Sequence, residues 1–456
     1  MARHIINASK TGKRGAGKRL FEKKKGRNAM NSRERVIAAI NHKEPDRIPI
    51  DFGATGQTGI NVCALYRLRD YLGLPKKDVD VFEVIQMLGV VDEDLRQIMK
   101  SDVIGLNHPE DSMGVPDTGK KKKFIMPDGT PCLLNAGNEW DVDPDGSIYM
   151  YPQGDRSAPR SVKMLDHGYF FNIIDRAPEY DEDNLTPRED FKNFFSVMSD
   201  ETAKYYENES KRLYDETEYA IIGNLAGAGF GDPGAIPAPF EKHPKGIRKF
   251  DDWVAAQLMY PEYVEEVFEM QTEYMLKNLQ IYKDAVGDRI QIVWISGTDF
   301  GTQNGPFMSK DLFEELYKPY YRRVCDWVHN NTNWKTYIHT CGAITTLLDD
   351  IADMGVDIVN PVQLSAKGMD AQLLKDKWGD RLVFWGGGVD TQHTLPSGTP
   401  EEVAAQVTER LPVLSRGGGY VFNTIHNIVG DTKAENIWAA FHAVHEYNDR
   451  HFGRQG

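Results

Sequence analysis

His339 and Cys341, within His339-Thr340-Cys341-Gly342, place an imidazole and a thiol two residues apart at the end of the apolar run Lys335–Ile338. Nowhere else in the chain do a histidine and a cysteine lie so close. At the exit of a strand both side chains can enter one pocket, which suits a zinc ion with an open coordination position. His426, in Asn423-Thr424-Ile425-His426-Asn427, completes a set of one sulfur and two nitrogens. Asp299, in Ser296-Gly297-Thr298-Asp299, is the substitute third ligand if His426 contacts substrate instead. A zinc held by a single thiolate keeps more of its charge. It would be a stronger Lewis acid, able to polarise a substrate oxygen or acidify a bound thiol or water.

These residues need elements that carry them to one place. From residue 190 onward short apolar runs alternate with amphipathic stretches. Strands are expected at 219–223, 290–295, 335–339, 357–361, 382–386 and 419–423. Helices are expected at 189–215, around 250–285, and at 309–330, 343–354, 370–378, 400–415 and 433–448. Such βα units make a parallel sheet, and their number favours a closed (β/α)8 barrel, whose chemistry sits where strands hand over to helices. Five successive strand ends carry polar groups: Asp299, the His339/Cys341 pair, Gln363, Asp390, and Asn423 with His426. Asp, Asn and Thr also serve as turn residues and helix caps, a plain alternative for Asp390. His339, Cys341 and His426 are poor caps.

The N-terminal half is less regular. Asn31 and Glu34 form a capping-box pattern before a helical stripe at Val36, Ile37 and Ile40, and helices are expected at 63–73 and 81–100. Asp102 begins a strand over 102–106. Residues 107–185, rich in Gly, Pro, Asp and aromatics, read as a β-rich insertion, with Lys120 to Lys123 in a solvated turn. A single domain over 30–450 is expected. Residues 1–29 carry a charge of +9 and read as a disordered extension, leaving −23 for the rest of a chain whose total is −14. An acidic body argues against nucleic acid as the main partner. The chain has no apolar run of membrane-spanning length and no signal peptide. Its four scattered cysteines fit a reducing cytoplasm. The glycine-rich stretch 223–234 lacks the lysine and serine of a phosphate-binding loop, and no dinucleotide fingerprint follows the first strand.

Asp299-Phe300-Gly301-Thr302-Gln303, His339-Thr340-Cys341-Gly342, Pro361-Val362-Gln363, Phe384 to Asp390 and Gly417 to His426, with the segment 31–49, come in a familiar order. Over roughly residues 30–450 the chain resembles the uroporphyrinogen decarboxylase superfamily, which implies a (β/α)8 barrel. The decarboxylases themselves are metal-free and bind a polycarboxylate through an arginine-rich segment. At the corresponding place this chain reads Ile50 to Gly56, without arginine. Asp102 resembles the decarboxylases' catalytic aspartate, and His426 stands where they have a histidine. The cobalamin-linked methyltransferases hold zinc with a His-x-Cys pair and a later cysteine. His339 and Cys341 match the pair, and His426 falls at or near the later position.

The resemblance therefore implies a zinc-dependent methyltransferase. It would pass a methyl group between a small molecule and a corrinoid carried by a partner protein. His339, Cys341 and His426 would be the ligands, with Asp102 and Asp299 as catalytic candidates and Gln363, Asp390 and Asn423 toward substrate. A histidine in the third place fits a zinc that activates a methyl donor such as an ether or amine. Barrels of this kind often form homodimers. Two alternatives stay open: a decarboxylase acting on a porphyrinogen or another carboxylated substrate, and a non-catalytic barrel that binds a corrinoid protein or tetrapyrrole.

Overall fold

A computed structural model describes residues 29–225 and 227–453. The basic extension, but for its last residue, lies outside the described residues. Seven parallel strands run side by side: β1 (Val103–Leu106), β2 (Ala220–Asn224), β3 (Ile292–Ser296), β4 (Lys335–His339), β5 (Ile358–Asn360), β6 (Val383–Trp385) and β7 (Tyr420–Val421). The segment around Ile50 closes the ring between β7 and β1. Ile50 bridges Phe422 in parallel, Asp51 N–H donates to Phe422 O at 2.9 Å, and Asp102 N–H donates to Ile50 O at 2.7 Å. The fold is the expected (β/α)8 barrel, with its eighth strand reduced to a few hydrogen bonds.

The strands are apolar on both faces because both are covered: β2, β5 and β6 are buried at every residue. Inside the barrel, Ala220, Ile222, Ile292, Tyr337, Ile358, Val383, Trp385 and Val421 form a core of their own. Outside, Val293, Ile295, Ile338, Val359 and Phe384 pack on the helical ring. This period-two split places His339, Asn360 and Asn224 on the inner face at the C-terminal rim. The other end is plugged by α1 (Ser32–Ile40), whose expected capping box forms and whose Val36, Ala39 and Ile40 join the inner core.

Residues 81–100 depart from the helical reading. Val79–Glu83 and Leu88–Gly89 are strands, and only Glu93–Ile98 is helical. Val79 and Val81 are buried and Asp80 is exposed, the alternation of a half-buried strand. Val79–Glu83 pairs with Pro131–Asn135, which pairs with Lys121–Ile125, so the lysine run is strand and not turn. Trp140–Val142, Ile148–Met150, Val162–Met164 and Asn172–Ile173 form a second antiparallel sheet. The helix read over 189–215 is Pro187–Asp190 and Asp200–Glu216. Between them lies a stretch that tucks Phe191 into the core against Trp253.

The last helix, Ala434–His451, is tied to the end of Glu93–Ile98 by His445, whose Nε2–H donates to Met99 O at 3.0 Å. Burial pushes the His445 pKa down to about 4. The unfolded chain titrates this side chain near 6.5 and so binds more protons between the two values. Stability is therefore fully present above about pH 6.5 and falls toward pH 4, by about 3 kcal/mol for this group. In urea titrations His445→Gln should lose less stability than the wild type over that window. Parallel losses would contradict the assignment.

Candidate metal centre at the barrel mouth

Each residue of the His339–Gly342 tetrapeptide is held by a partner from a neighbouring strand end. Thr340 N–H donates to Asn360 O at 2.8 Å, and its hydroxyl accepts from Phe300 N–H at 2.9 Å. Cys341 N–H donates to Asp299 Oδ1 at 2.7 Å, and Gly342 N–H to Gln363 Oε1 at 2.8 Å. Gly342 has φ +93°, and a Cβ there would lie 2.3 Å from the carbonyl of Gly301, so only glycine lets the two loops touch. A bulge between Trp294 and Ser296 turns Ser296 outward onto Tyr321 and releases the loop that carries Asp299.

The two histidines are prepared alike. His339 is buried, and its Nδ1 lies 2.6 Å from Asn360 Oδ1. Asn360 spends its amide N–H on Trp385 O at 2.9 Å, so Oδ1 faces the ring and Nδ1 must donate. His426 Nδ1 meets Asn427 Oδ1, and the Asn427 amide N–H groups go to Gly56 O and Gln86 Oε1. In both rings the proton sits on Nδ1 and leaves the Nε2 lone pair open, the arrangement that outer partners impose on metal-binding histidines. His339 Nε2 lies 3.2 Å from Cys341 Sγ and 3.8 Å from Asp299 Oδ1. The His339 and His426 rings stand 5.1 Å apart, and the ligand atoms of His339, Cys341 and His426 all fall within 4.8 Å of one another.

Tetrahedral zinc with bonds of about 2.0–2.3 Å fits such a cluster after small side-chain movements. The electrostatics agree. Burial pushes His339 down, and pushes His426 down to about 4 with help from His339, so both rings are neutral at pH 7, the form a metal requires. Burial, with the charges of Asp299 and Asp232, pushes the Cys341 thiol well up, and a bound divalent cation reverses that preference. Asn360→Leu should leave the barrel folded and weaken zinc binding roughly 10–100-fold, measured by competition with a chromogenic chelator. Unchanged affinity would remove Asn360 from the site.

Cys341 and His426 border a cleft of about 440 Å³, a size suited to a small molecule, with Gln303, Gln363, Gln392 and Asn427 on its walls and no Lys or Arg. Gln363 lines this cleft, and Asp299 stands beside His339 behind it. Asp390 lies beneath the wall, accepting from Gln392 N–H at 2.9 Å and paired with His393. Asn423 is buried and donates to Asp51 O at 2.9 Å, tying strands together away from the cleft. Asp102 is at the opposite end of the barrel. Its carboxylate accepts from Arg35, Arg47, Ser32 and the Ile50 N–H, so it anchors the barrel floor and stands away from the cleft, against its reading as a catalytic candidate.

At the mouth end of that strand stands Asn107, which accepts from Asn224 Nδ2–H at 2.6 Å. Asp232, on the loop after β2, went unremarked in the sequence, although polar strand ends were the signal in use. Burial, with the charge of Asp299, raises its pKa to about 7.

The structure is a (β/α)8 barrel with a candidate His/Cys/His metal cluster at its C-terminal rim, the end where such barrels carry their chemistry. Residues 239–447 match the sequence model of the uroporphyrinogen decarboxylase (URO-D) family, which this part of the chain resembles. Among solved structures it resembles a methyltransferase from Methanosarcina mazei at a TM-score of 0.53. The match covers 92% of this chain and 99% of that one at 16% identity, a likeness of fold.

Proposed function

We propose that this protein is a zinc-dependent methyltransferase that moves a methyl group between a small molecule and a corrinoid carried by a partner protein in the cytoplasm. The observation that carries the reading is the convergence of His339 and His426, each backed by an asparagine, with Cys341 Sγ at the barrel mouth. Zinc bound there would supply a Lewis acid that draws electron density from the heteroatom bearing the methyl group. Asp299 fixes the Cys341 backbone, and Gln363 fixes Gly342.

Access supports a transfer between two partners. His426, Asn427 and Val429 border both the cleft at Cys341 and a second one of about 240 Å³ lined by Tyr169 and Phe170 of the insertion. A small molecule and a protein-borne group can thus approach the same histidine from different sides. Decarboxylation of a polycarboxylate fits less well, since the lining of the metal cleft carries no cation to receive carboxylates.

Metal analysis of the purified protein beside His426→Ala tests the reading. Near-stoichiometric zinc in the wild type and its loss in the variant are expected. Equal zinc in both would remove His426 as a ligand. Metal-free protein that releases carbon dioxide from a porphyrinogen would overturn the proposal.

A further inference from the structure

On the side of the mouth built by the Ile50 segment, β2 and β3, two buried amide oxygens lack hydrogen-bond partners and stand near a carboxylate. Asn224 ends β2 on the inner face, in line with Ala220 and Ile222, and is 9% exposed. Its Nδ2–H groups go to Ala54 O and Asn107 Oδ1, while its Oδ1 is buried without a partner. Gln57 Oε1 is likewise buried and unpartnered. Asp232 Oδ1 accepts from Gly234 N–H at 2.8 Å, and the charge that acts on Asp232 is that of Asp299, of like sign. Gln57 and Asp232 converge with Trp294 on Gly297. A Cβ there would lie 3.1 Å from the Trp294 ring, 3.5 Å from Asp232 Oδ2 and 3.7 Å from Gln57 Nε2, so the glycine keeps open a space that these groups surround. Trp294 is pinned by its own Nε1–H bond to Ser296 O at 2.7 Å.

Buried acceptors and an uncompensated carboxylate are costly unless a ligand brings donors and positive charge. A neutral polyol would supply donors and leave Asp232 unbalanced. A carboxylate would meet the like charge of Asp232. We propose that Asn224, Gln57 and Asp232, beside the Trp294 indole, form a subsite for an alkylammonium group of the substrate. The methylated heteroatom of the same molecule then lies toward His339, Cys341 and His426. This deepens the methyltransferase reading and rests on it for the identity of the reacting end. The ammonium N–H groups donate to the two amide oxygens, and Asp232 matches the charge.

Three probes share one skeleton: 2-methoxyethylamine, 2-methoxyethanol and methoxyacetate. Calorimetric titration of the full chain, zinc-loaded and zinc-stripped, should rank the amine above the alcohol and the alcohol above the acid. The amine should bind about tenfold or more tighter than the acid in both forms. Asp232→Asn should erase most of that preference and leave the alcohol unchanged. Gln57→Leu, on a separate loop, should weaken the amine as well. A preference seen only with zinc would mean that the amine binds the metal directly, and the subsite would be wrong. Equal binding of acid and amine, no binding of the amine, or a preference untouched by both substitutions would also overturn it. Failure of the zinc reading alone would appear instead as absent metal, with the amine preference intact in the stripped protein.

Discussion

Cys341→Ser should yield a folded barrel that no longer retains zinc through dialysis. The serine hydroxyl stays protonated at neutral pH and cannot replace a thiolate as an anionic ligand. Affinity should fall by more than the roughly 10–100-fold expected on losing an outer hydrogen bond, with turnover falling alongside. The fold should survive because the loop is anchored by its backbone. Cys341 N–H donates to Asp299, Cys341 O accepts from Gly301 N–H, and Gly342 N–H donates to Gln363. Elemental analysis and circular dichroism on the same sample separate the two effects. Zinc retained at wild-type affinity would refute the ligand assignment, and a collapsed circular dichroism spectrum would show that the side chain has a structural role as well.

Asp102→Ala should do the reverse. The Asp102 carboxylate is fully buried and accepts five hydrogen bonds: one from Arg35 at 2.7 Å, two from Arg47 at 2.7 and 2.8 Å, one from Ser32 at 2.8 Å and one from Ile50 N–H at 2.9 Å. Arg35 also binds Asp46, so the network ties α1 to the closing segment of the barrel. Removing the carboxylate leaves two guanidinium groups without their shared partner near the barrel floor. Breaking a buried pair in this way costs about 3–5 kcal/mol. Denaturant midpoints should drop accordingly, while zinc content and activity per folded molecule should hold. Lost activity with unchanged stability would return Asp102 to the chemistry.

Much of the barrel was legible because its strands are covered on both faces. Runs such as Lys335–His339 and Ala220–Asn224, separated by amphipathic helices such as Pro400–Leu414, stand out against their flanks. The stretch 81–100 misled because its strands are short and half-exposed, so that Phe82, Val84 and Ile85 mimic a helical stripe. The alternation of buried Val79 and Val81 about Asp80 was the weaker signal. Tyr321 and Trp334 joined the outer core, and Trp294 entered the barrel.

The sequence alone determined which residue types stand at which strand ends. A His-x-Cys pair closes β4, a histidine follows β7, and Asp102 begins its strand where the others carry their polar groups at the finish. Local apolar periodicity encodes all of this. Only the closed ring decided which of those ends meet. It brought His426 against His339, set Asn360 and Asn427 behind the two rings, and sent Asp390 and Asn423 below the surface. It also gathered Gln57, Asn224 and Asp232 on one side of the mouth. Asn224 ends β2, Asp232 lies on the loop that follows it and Gln57 follows the Ile50 segment, so their meeting depends on strand order and on the hydrogen bonds that close the barrel at Ile50, distances that no local pattern in the chain records.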